Sequence, residues 1–325
     1  MMTNSLPIID LAGFADSAGR ASKIARQIDE ACRTHGFFFI ENHGVPRFVI
    51  DAAFEAAAQF FAAPLSEKQK IDIKNSPCHR GWFGQGDEAL DMVLQPQGDH
   101  KEGLKIGRDL PPDHARIKAG LALHGANQWP HQAGFKTAMQ NCYNAFEQVS
   151  RQLMQAFALA RGLEADYFAP VLRLPMATLG PLYYPALKEI TKNQLSAGAH
   201  TDFGCLTLLA QRDIAGLEIA RGDGTWLEIP ADNNRLVVNI GDMLARWTND
   251  IYRSTRHRVI NRGGQTRYAL AYFFDPDPEA DLSPLPGCLA HGQKPHYPPT
   301  TCLAHLLDKI DESFSYHTAT QIKSE

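Results

Sequence analysis

Four residues in the second half of the chain have the types and spacing that could bind a metal ion and an anion. His200 and Asp202 lie two positions apart, His257 follows later, and Arg267 comes ten positions after His257. Two imidazoles and one carboxylate suit a facial-triad site for Fe(II), which leaves three coordination positions open. The planar guanidinium of Arg267 could hold one carboxylate of a dicarboxylic acid. These residues predict an iron site beside an anion site.

The spacing of the first two candidate ligands predicts a shared direction. On an extended strand, residues two apart face the same side, so His200 and Asp202 could bind one ion, and His257 from a distant strand would complete the set. A lone His-x-Asp pair carries little information, because thirteen histidines give roughly one such pair by chance. The rival His100-Lys101-Glu102 lies in a loop-rich stretch without a suitable third ligand, and His43 is interpreted as a turn residue.

Composition excludes several classes of partner. The 325 residues carry a formal net charge of −4 with no basic block, which argues against nucleic acid and anionic membranes as ligands. No charged leader precedes an apolar stretch, and no apolar run approaches bilayer length. The six cysteines are dispersed and are interpreted as reduced thiols. We expect a cytoplasmic protein, a monomer or weak homo-oligomer, that binds a small molecule.

The two halves of the chain differ in their sequence pattern. The first half predicts three amphipathic helices, over Ala21 to Cys32, over Ile50 to Phe61, and from Pro130 to a stop at Gly162. The second half predicts short strands separated by Gly, Pro, Asn and Asp, a pattern typical of a sandwich, barrel or jelly roll. The strands are expected at Met176–Tyr184, Gly204–Ala210, Gly216–Ala220, Thr225–Ile229, Leu236–Ile240, His257–Asn261 and Arg267–Phe274.

Two stretches are expected to lie outside regular elements. Gly81 to Pro112 is rich in Gly, Pro and Asp and predicts a long loop, of the kind that often forms a lid. Asn239 to Asp242 predicts a turn between strands. Near the C-terminus, the apolar spacing of Thr301 to Phe314 predicts a helix that covers the mouth of the site.

Several motifs occur in one order along nearly the whole chain. They are Leu6–Asp10, Gly36–Pro46, Tyr183-Tyr184-Pro185, His200-Thr201-Asp202, Asn239–Asp242, Thr248-Asn249, His257-Arg258-Val259 and Arg267. In this order they resemble the iron(II)- and 2-oxoglutarate-dependent oxygenases, in the isopenicillin-N-synthase-like branch. The resemblance implies a mainly β fold, a double-stranded β-helix (jelly roll) core with flanking helices. We expect an N-terminal helical and strand region at 1–172, the core at 173–290, and a lid helix with its tail at 291–325.

The resemblance also implies the chemistry. Fe(II) would be held by His200, Asp202 and His257, and 2-oxoglutarate would chelate the iron, leaving one position for O2. Arg267 and Tyr184 would contact the far carboxylate of 2-oxoglutarate. The products would be succinate, CO2 and a small organic molecule altered by hydroxylation, desaturation or ring closure. Beside that substrate, the resemblance and the loop positions suggest Phe273, Arg80 and Trp82.

One position departs from the family pattern. The family commonly has Arg-x-Ser, whereas this chain has Arg267-Tyr268-Ala269, as in the ethylene-forming-enzyme-like subgroup. The missing serine hydroxyl is worth about 0.5–1.5 kcal/mol, whereas losing one side of a buried charge pair costs about 2–5 kcal/mol. We therefore expect Arg267 to suffice. Two alternatives remain open: an iron oxidase of the isopenicillin-N-synthase type that uses no 2-oxoglutarate, and a non-catalytic metal-binding jelly-roll protein.

Overall fold

The structure is a computed structural model that describes residues 5–186, 195–262 and 264–313. Its helices are α1 (Ala18–Thr34), α2 (Arg47–Phe61), α3 (Leu65–Lys68), α4 (Ala115–Lys118), α5 (Phe135–Ala160), α6 (Asp242–Trp247) and α7 (Cys302–Ser313). Short 3-10 helices lie at Gln69–Ile71, Ile73–Asn75 and Ala169–Val171. The longest helices therefore precede the main run of strands, as the sequence predicts.

Two sheets contain the strands of the described residues. The strands are β1 (Ile8–Asp10), β2 (Phe37–Glu41), β3 (Gly81–Phe83), β4 (Glu102–Gly107), β5 (Met176–Tyr184), β6 (Ala197–His200), β7 (Leu206–Gln211), β8 (Leu217–Ala220), β9 (Trp226–Ile229), β10 (Leu236–Ile240), β11 (His257–Val259) and β12 (Arg267–Asp275). The large sheet has the order β1-β2-β10-β7-β12-β5-β4-β3, and the small sheet has the order β6-β11-β8-β9. Apart from the parallel β1–β2 pair, the paired strands are antiparallel. This mainly β fold with flanking helices is the predicted jelly-roll class.

Alternation along the strands of the large sheet separates a helix-covered face from a cavity-lining face. On β7, Leu206, Leu208 and Ala210 belong to the buried core that also contains residues of α1, α2 and α5. The intervening residues Thr207 and Leu209 line a cavity instead. Since successive side chains of a strand point to opposite faces, one strand supplies both the packing and the site.

The N-terminal region is built into the large sheet. Strand β2 pairs with β10, and the register sets Phe38 against Val238. Between α1 and β2 the chain turns at Gly36, whose φ is +66° and whose added Cβ would lie 2.2 Å from the backbone oxygen of Arg253. Only glycine meets both constraints at low cost. The predicted stop of the first helix is explained by this turn.

Two predictions about elements need correction, and two short elements are not predicted. The stretch from Gly81 to Pro112 contains β3 and β4, because Phe83, Leu104 and Ile106 are buried and the two strands pair with each other, β4 also with β5. The long helix begins at Phe135 rather than at Pro130, since Gly134 precedes it with a φ of +76°. Strand β6 and helix α6 are not predicted by the sequence pattern. Both are short, and β6 is a run of Ala, Gly and His without hydrophobic alternation.

Helix α7 ends the described part of the chain. It spans Cys302–Ser313, close to the predicted segment, whose last residue Phe314 lies outside the described residues. Its Leu306 and Ile310 are buried and line the cavity. In the described ranges, no single helix has both the length and the apolar character needed to cross a membrane, although the sharply bent pair Arg47–Phe61 and Leu65–Ile71 passes that test jointly.

Candidate active site

The three predicted metal ligands meet between the two sheets. His200 ends β6 and His257 begins β11, where the two residues are direct partners in the antiparallel register. The spacing predicts that Asp202 lies on the same strand as His200, but Asp202 lies in the loop that follows this strand. That loop is fixed by the backbone N–H of Asp242, which donates to the Asp202 carbonyl at 2.7 Å. The convergence therefore comes from a strand end and a loop, not from one extended face.

The ligand atoms of the triad are close enough for a single ion. Asp202 Oδ1 lies 3.7 Å from His200 Nε2 and 3.6 Å from His257 Nε2. One ligand atom from each residue lies within 4.8 Å of the others. Among the described residues, the triad is the group of His, Cys, Asp or Glu side chains whose ligand atoms converge closely enough to hold a metal ion. Two nitrogens and one oxygen on one side of an ion match the donor set that suits non-haem Fe(II).

Backbone carbonyls fix the tautomer of both imidazoles. His200 Nδ1 lies 2.7 Å from the Gly198 carbonyl, and His257 Nδ1 lies 3.2 Å from the Thr255 carbonyl. A carbonyl only accepts, so each Nδ1 carries the proton and each Nε2 offers its lone pair to the metal. Burial, followed by the neighbouring His257, lowers the pKa of His200 to about 3. The site therefore presents a neutral imidazole, as a metal ligand requires.

The carboxylate of Asp202 is oriented by the large sheet. Its Oδ2 accepts from Thr207 Oγ1 and from Asn239 Nδ2, each at 2.6 Å, which leaves Oδ1 directed at the imidazoles. Burial acts to raise the pKa of Asp202, but the imidazoles and these two hydrogen bonds lower it on balance. The sequence predicts a strand over Leu236–Ile240 and also a turn from Asn239 to Asp242. The strand prediction is confirmed, and Asn239 lies in β10, directly opposite Thr207 of β7, where its side chain holds the carboxylate instead of shaping a turn.

Removing either donor to Asp202 is expected to weaken iron binding without removing a ligand. Thr207→Val and Asn239→Leu preserve the shape of each buried side chain and remove its hydrogen bond. Partners of this kind typically contribute 10–100-fold to metal affinity, so we expect that loss in an Fe(II) titration under anaerobic conditions. Thr178→Val is the matched control, because Thr178 lines the same cavity and contacts Arg80. Unchanged iron affinity in both variants would contradict the assignment.

Arg267 lies in the same cavity and has unused donors. It is 1% exposed, and its Nη2 donates to Gln211 Oε1 at 3.1 Å. Its Nε and Nη1 are buried with no hydrogen-bond partner in the described part of the chain. The Tyr184 ring lies beneath the guanidinium, with the Arg267 Cζ 4.7 Å from the ring centroid. A buried guanidinium with two free N–H directions fits a carboxylate from a bound molecule. The role of Gln211 is not predicted by the sequence.

The remaining predicted residues have different surroundings. Phe273 and Arg80 line the cavity, and the Lys105 ammonium lies 5.4 Å from the Phe273 ring centroid. Trp82 belongs to another cluster, since its Nε1 donates to Glu102 Oε2 at 2.9 Å. Glu102 also pairs with Lys68 at 2.7 Å, so the rival His100-Lys101-Glu102 motif turns its carboxylate to that cluster and not to a metal. The cavity, of about 200 Å³, suits a small molecule.

A buried ion network supports the strand that carries His200. Lys101 Nζ lies 2.6 Å from Glu88 Oε2 and 2.9 Å from Asp99 Oδ2. Asp99 Oδ1 in turn accepts from the Gly198 backbone N–H at 2.9 Å. Burial would raise the pKa of Glu88, but Lys101 and Lys105 lower it to about 2. Because the Gly198 carbonyl also contacts the His200 imidazole, the network positions one candidate metal ligand through the backbone of Gly198.

Asp275 is a further buried carboxyl at the cavity. Its Oδ1 accepts from the Cys205 backbone N–H at 2.7 Å. Burial, only partly offset by this hydrogen bond, raises its pKa to about 7. The folded state therefore retains a proton on Asp275 between about pH 4 and pH 7, where the unfolded state has lost it. The contribution of Asp275 to the free energy of unfolding therefore falls as pH rises through that window, because its folded state binds more protons.

Asp275→Asn is expected to stabilise the metal-free protein at high pH. Asparagine keeps the acceptor for Cys205 and never ionises, so the variant escapes the cost of ionising a buried carboxyl. With a folded pKa of about 7, that cost is about 2–4 kcal/mol. Urea unfolding of chelator-treated protein should show little difference near pH 4 and the full gain above pH 7. A gain that does not change with pH would refute this explanation.

Comparison with known proteins places this geometry in a family. The pattern of the 2OG-Fe(II) oxygenase superfamily matches residues 179–276, and that of the non-haem dioxygenase in morphine synthesis N-terminal region matches residues 6–132. The chain is 35% identical to the 2-oxoglutarate-Fe(II) type oxidoreductase hxnY of Emericella nidulans over 93% of this chain and 88% of that protein.

Solved structures agree with the sequence comparison. A full-length Neurospora crassa protein in complex with alpha-KG is similar with a TM-score of 0.84 at 29% identity, covering 94% of this chain and 96% of that one. JOX2 in complex with 2OG, Fe and JA is similar with a TM-score of 0.77 at 28% identity, covering 94% and 84%. The chain belongs to the family of 2-oxoglutarate- and iron(II)-dependent oxygenases. It is an oxidoreductase that uses Fe(II), 2-oxoglutarate and O2 to oxidise a small organic substrate, with succinate and CO2 as coproducts.

Proposed function

We propose that His200, Asp202 and His257 hold the iron and that Arg267 holds the far carboxylate of 2-oxoglutarate. The observation that carries this assignment is the buried Arg267 guanidinium, with two unpartnered N–H groups in the cavity that contains the triad. A buried charge without a partner is costly, so a bound dianion would satisfy a need that the described residues do not meet.

The strands set the distance that 2-oxoglutarate must span. On β7, Gln211 contacts Arg267 and Thr207 contacts the metal ligand Asp202. Four residues of strand separate these two contacts by roughly 13 Å. A five-carbon dicarboxylate with one end on Arg267 therefore lies along β7 with its other end toward the triad. Its orientation is set by the guanidinium fork, because a bidentate pair fixes direction as well as position.

Protein side chains then confine the reaction. When bound, iron and 2-oxoglutarate supply the oxidising power, through decarboxylation of 2-oxoglutarate with O2. The Tyr184 ring packs on one face of the Arg267 guanidinium and keeps water from it. Phe273 lies between Thr207 and Thr178 in the register of the large sheet, so its ring is placed beside a molecule that approaches the triad. Leu306 and Ile310 of α7 cover the same cavity.

The decisive experiment measures succinate formed against O2 consumed. Purified protein is supplied with Fe(II), excess 2-oxoglutarate and candidate substrates, and products are identified by mass spectrometry. Equal amounts of succinate and consumed O2 are expected. O2 consumption without succinate would favour the oxidase that uses no 2-oxoglutarate, and the absence of O2 consumption with every candidate would favour a non-catalytic binding protein.

We further propose that the enzyme acts in the cytoplasm as a monomer or weak homo-oligomer. All six cysteines are buried free thiols, which suits a reducing compartment. Cell fractionation and sedimentation of the purified protein test the two parts separately. Recovery from an oxidising compartment, or a stable dimer at nanomolar concentration, would contradict the respective part.

A further inference from the structure

The lysines and arginines that line the active-site cavity differ in whether a carboxylate neutralises them. Four of them form ion pairs within the protein. Lys101 pairs with Glu88 and Asp99, Lys105 with Glu88, Arg108 with Glu147, and Arg116 with Asp277 and Glu279. Two guanidiniums, those of Arg267 and Arg80, form no ion pair with any carboxylate in the described ranges. The first is assigned above to 2-oxoglutarate, which leaves Arg80.

Arg80 is buried, as expected of a residue that binds an anion inside a cavity. It is 7% exposed, its side-chain hydrogen bonds are to neutral groups, and Asp109 acts on it as a nearby charge without forming an ion pair. Its Nη2 donates to the Leu123 carbonyl at 3.0 Å, and its Nη1 contacts Thr178 Oγ1 at 3.4 Å. Its Nε is buried without a hydrogen-bond partner among the residues that the structure describes. A buried cation in this state has no carboxylate in direct contact among the described residues, whereas buried charges are normally paired.

Arg80 is held in place by hydrogen bonds to its own backbone and by the absence of a side chain at a neighbouring glycine. The backbone N–H of Arg80 donates to Ser76 Oγ at 3.0 Å, and its carbonyl accepts from Gln128 Nε2 at 2.8 Å. The guanidinium occupies the space beside Gly107, where an added Cβ would lie 1.9 Å from the Arg80 Cζ. Glycine at this position of β4 therefore leaves room for the charged group, which is fixed before any ligand arrives.

Strand register gives the separation of Arg80 from the iron site. Thr178 of β5, Phe273 of β12 and Thr207 of β7 are direct partners across three adjacent strands. Neighbouring strands lie about 4.8 Å apart, so Thr178 and Thr207 are separated by roughly 10 Å. Arg80 contacts Thr178, and Thr207 contacts Asp202. The Arg80 guanidinium therefore lies across the strands of the large sheet from the triad, whereas Arg267 lies along the strand direction from it. The two anion sites are separate, so they do not compete for one ligand.

We propose that Arg80 binds a carboxylate of the organic substrate, so that this oxygenase acts on small organic acids. The inference rests on the function proposed above and adds the substrate class. A single guanidinium supplies one positive charge and a planar fork, which matches a carboxylate in charge and shape. A carboxylate on Arg80 directs the rest of the molecule past Phe273 toward the metal. The substrate is then held at its anionic end and oxidised at a carbon distant from it.

Matched pairs of acids and primary amides test the proposal by binding rather than turnover. Anaerobic protein loaded with Fe(II) and saturating 2-oxoglutarate is titrated with benzoic, phenylacetic, cyclohexanecarboxylic and hexanoic acids and with their amides. Isothermal calorimetry should show at least one acid binding about tenfold or more tightly than its amide. Arg80→Met should abolish that preference and leave the 2-oxoglutarate affinity within about twofold. No preference in the wild type, or an undiminished preference in Arg80→Met, overturns the proposal.

Companion variants separate charge at Arg80 from general effects on the cavity. Arg108→Met and Arg116→Met remove guanidiniums that line the same cavity but are already paired, so both should keep the acid preference. Arg80→Lys should restore part of it, because a point charge lacks the fork. Gly107→Ala keeps every charge but displaces the guanidinium, and should lose the preference even if Arg80→Met proves unstable. Failure of 2-oxoglutarate to bind the wild type would instead refute the proposed function.

Discussion

Replacing Asp202 by alanine is expected to abolish iron-dependent turnover while the protein remains folded. Asp202 supplies the anionic ligand and lies 3.7 and 3.6 Å from the Nε2 atoms of His200 and His257. The site has three protein ligands, so each substitution leaves only two side chains to hold the ion. His200→Ala and His257→Ala should behave alike. Iron content after loading, measured by atomic absorption, and succinate formation should both fall to background.

A histidine outside the site provides the control for these variants. His43 accepts from the Val45 backbone N–H at 3.2 Å, as expected of a turn residue, so His43→Ala should retain iron and activity. Circular dichroism of all four variants checks that the fold persists. Near-normal turnover in any one of the three ligand variants would show that the triad is wrongly assigned.

Arg267→Ala is expected to raise the apparent 2-oxoglutarate constant by about a hundredfold or more. The guanidinium is buried and paired with no carboxylate of the described chain, so the cosubstrate would be its charge partner. Losing one side of a buried charge pair costs about 2–5 kcal/mol, and each 1.4 kcal/mol corresponds to a factor of ten. The measurement is succinate formation as a function of 2-oxoglutarate concentration, beside direct calorimetric binding.

Two further substitutions refine this prediction. Arg267→Lys should recover only part of the affinity, because an ammonium cannot reproduce the bidentate fork. Ala269→Ser adds the hydroxyl that the family commonly has, and should tighten 2-oxoglutarate by at most about tenfold. Ala269 is buried beside Tyr184 and Val259, so the new hydroxyl must find a partner there. An Arg267→Ala enzyme with unchanged 2-oxoglutarate dependence would favour the oxidase alternative.

The residues that meet at the triad can be recognised from the sequence, but the groups that orient them cannot. His200, Asp202 and His257 stand out because their types and order are restrictive. Asn239 has the sequence context of a turn residue, since its hydrogen-bond partner Asp202 lies 37 positions away and nothing local marks the contact. Gln211 escapes prediction for the same reason, being 56 positions from Arg267. These distant residues are brought together by the register between strands, which cannot be predicted from local residue spacing.

The same limit explains the loop and substrate predictions. Gly81 to Pro112 has the composition of a loop, yet part of it is strand, because buried Phe83 lies on β3, which pairs with β4, and β4 in turn pairs with β5. Position alone suggests that Trp82 lies beside the substrate, whereas its indole donates to Glu102. Arg80, suggested on equal grounds, lines the cavity. Whether a polar side chain in this stretch points inward depends on partners in other strands.

The distribution of the metal ligands across the two sheets has a thermodynamic consequence. His200 and His257 belong to the small sheet, whereas the Asp202 carboxylate is held by Thr207 and Asn239 of the large one. An ion bound by all three residues therefore links the two sheets. Because the ion binds the folded chain, mass action shifts the folding equilibrium toward the folded state. Free iron at one hundred times its dissociation constant contributes about 2.7 kcal/mol to folding. Iron bound at this site would thus raise the free energy of unfolding as well as enable turnover.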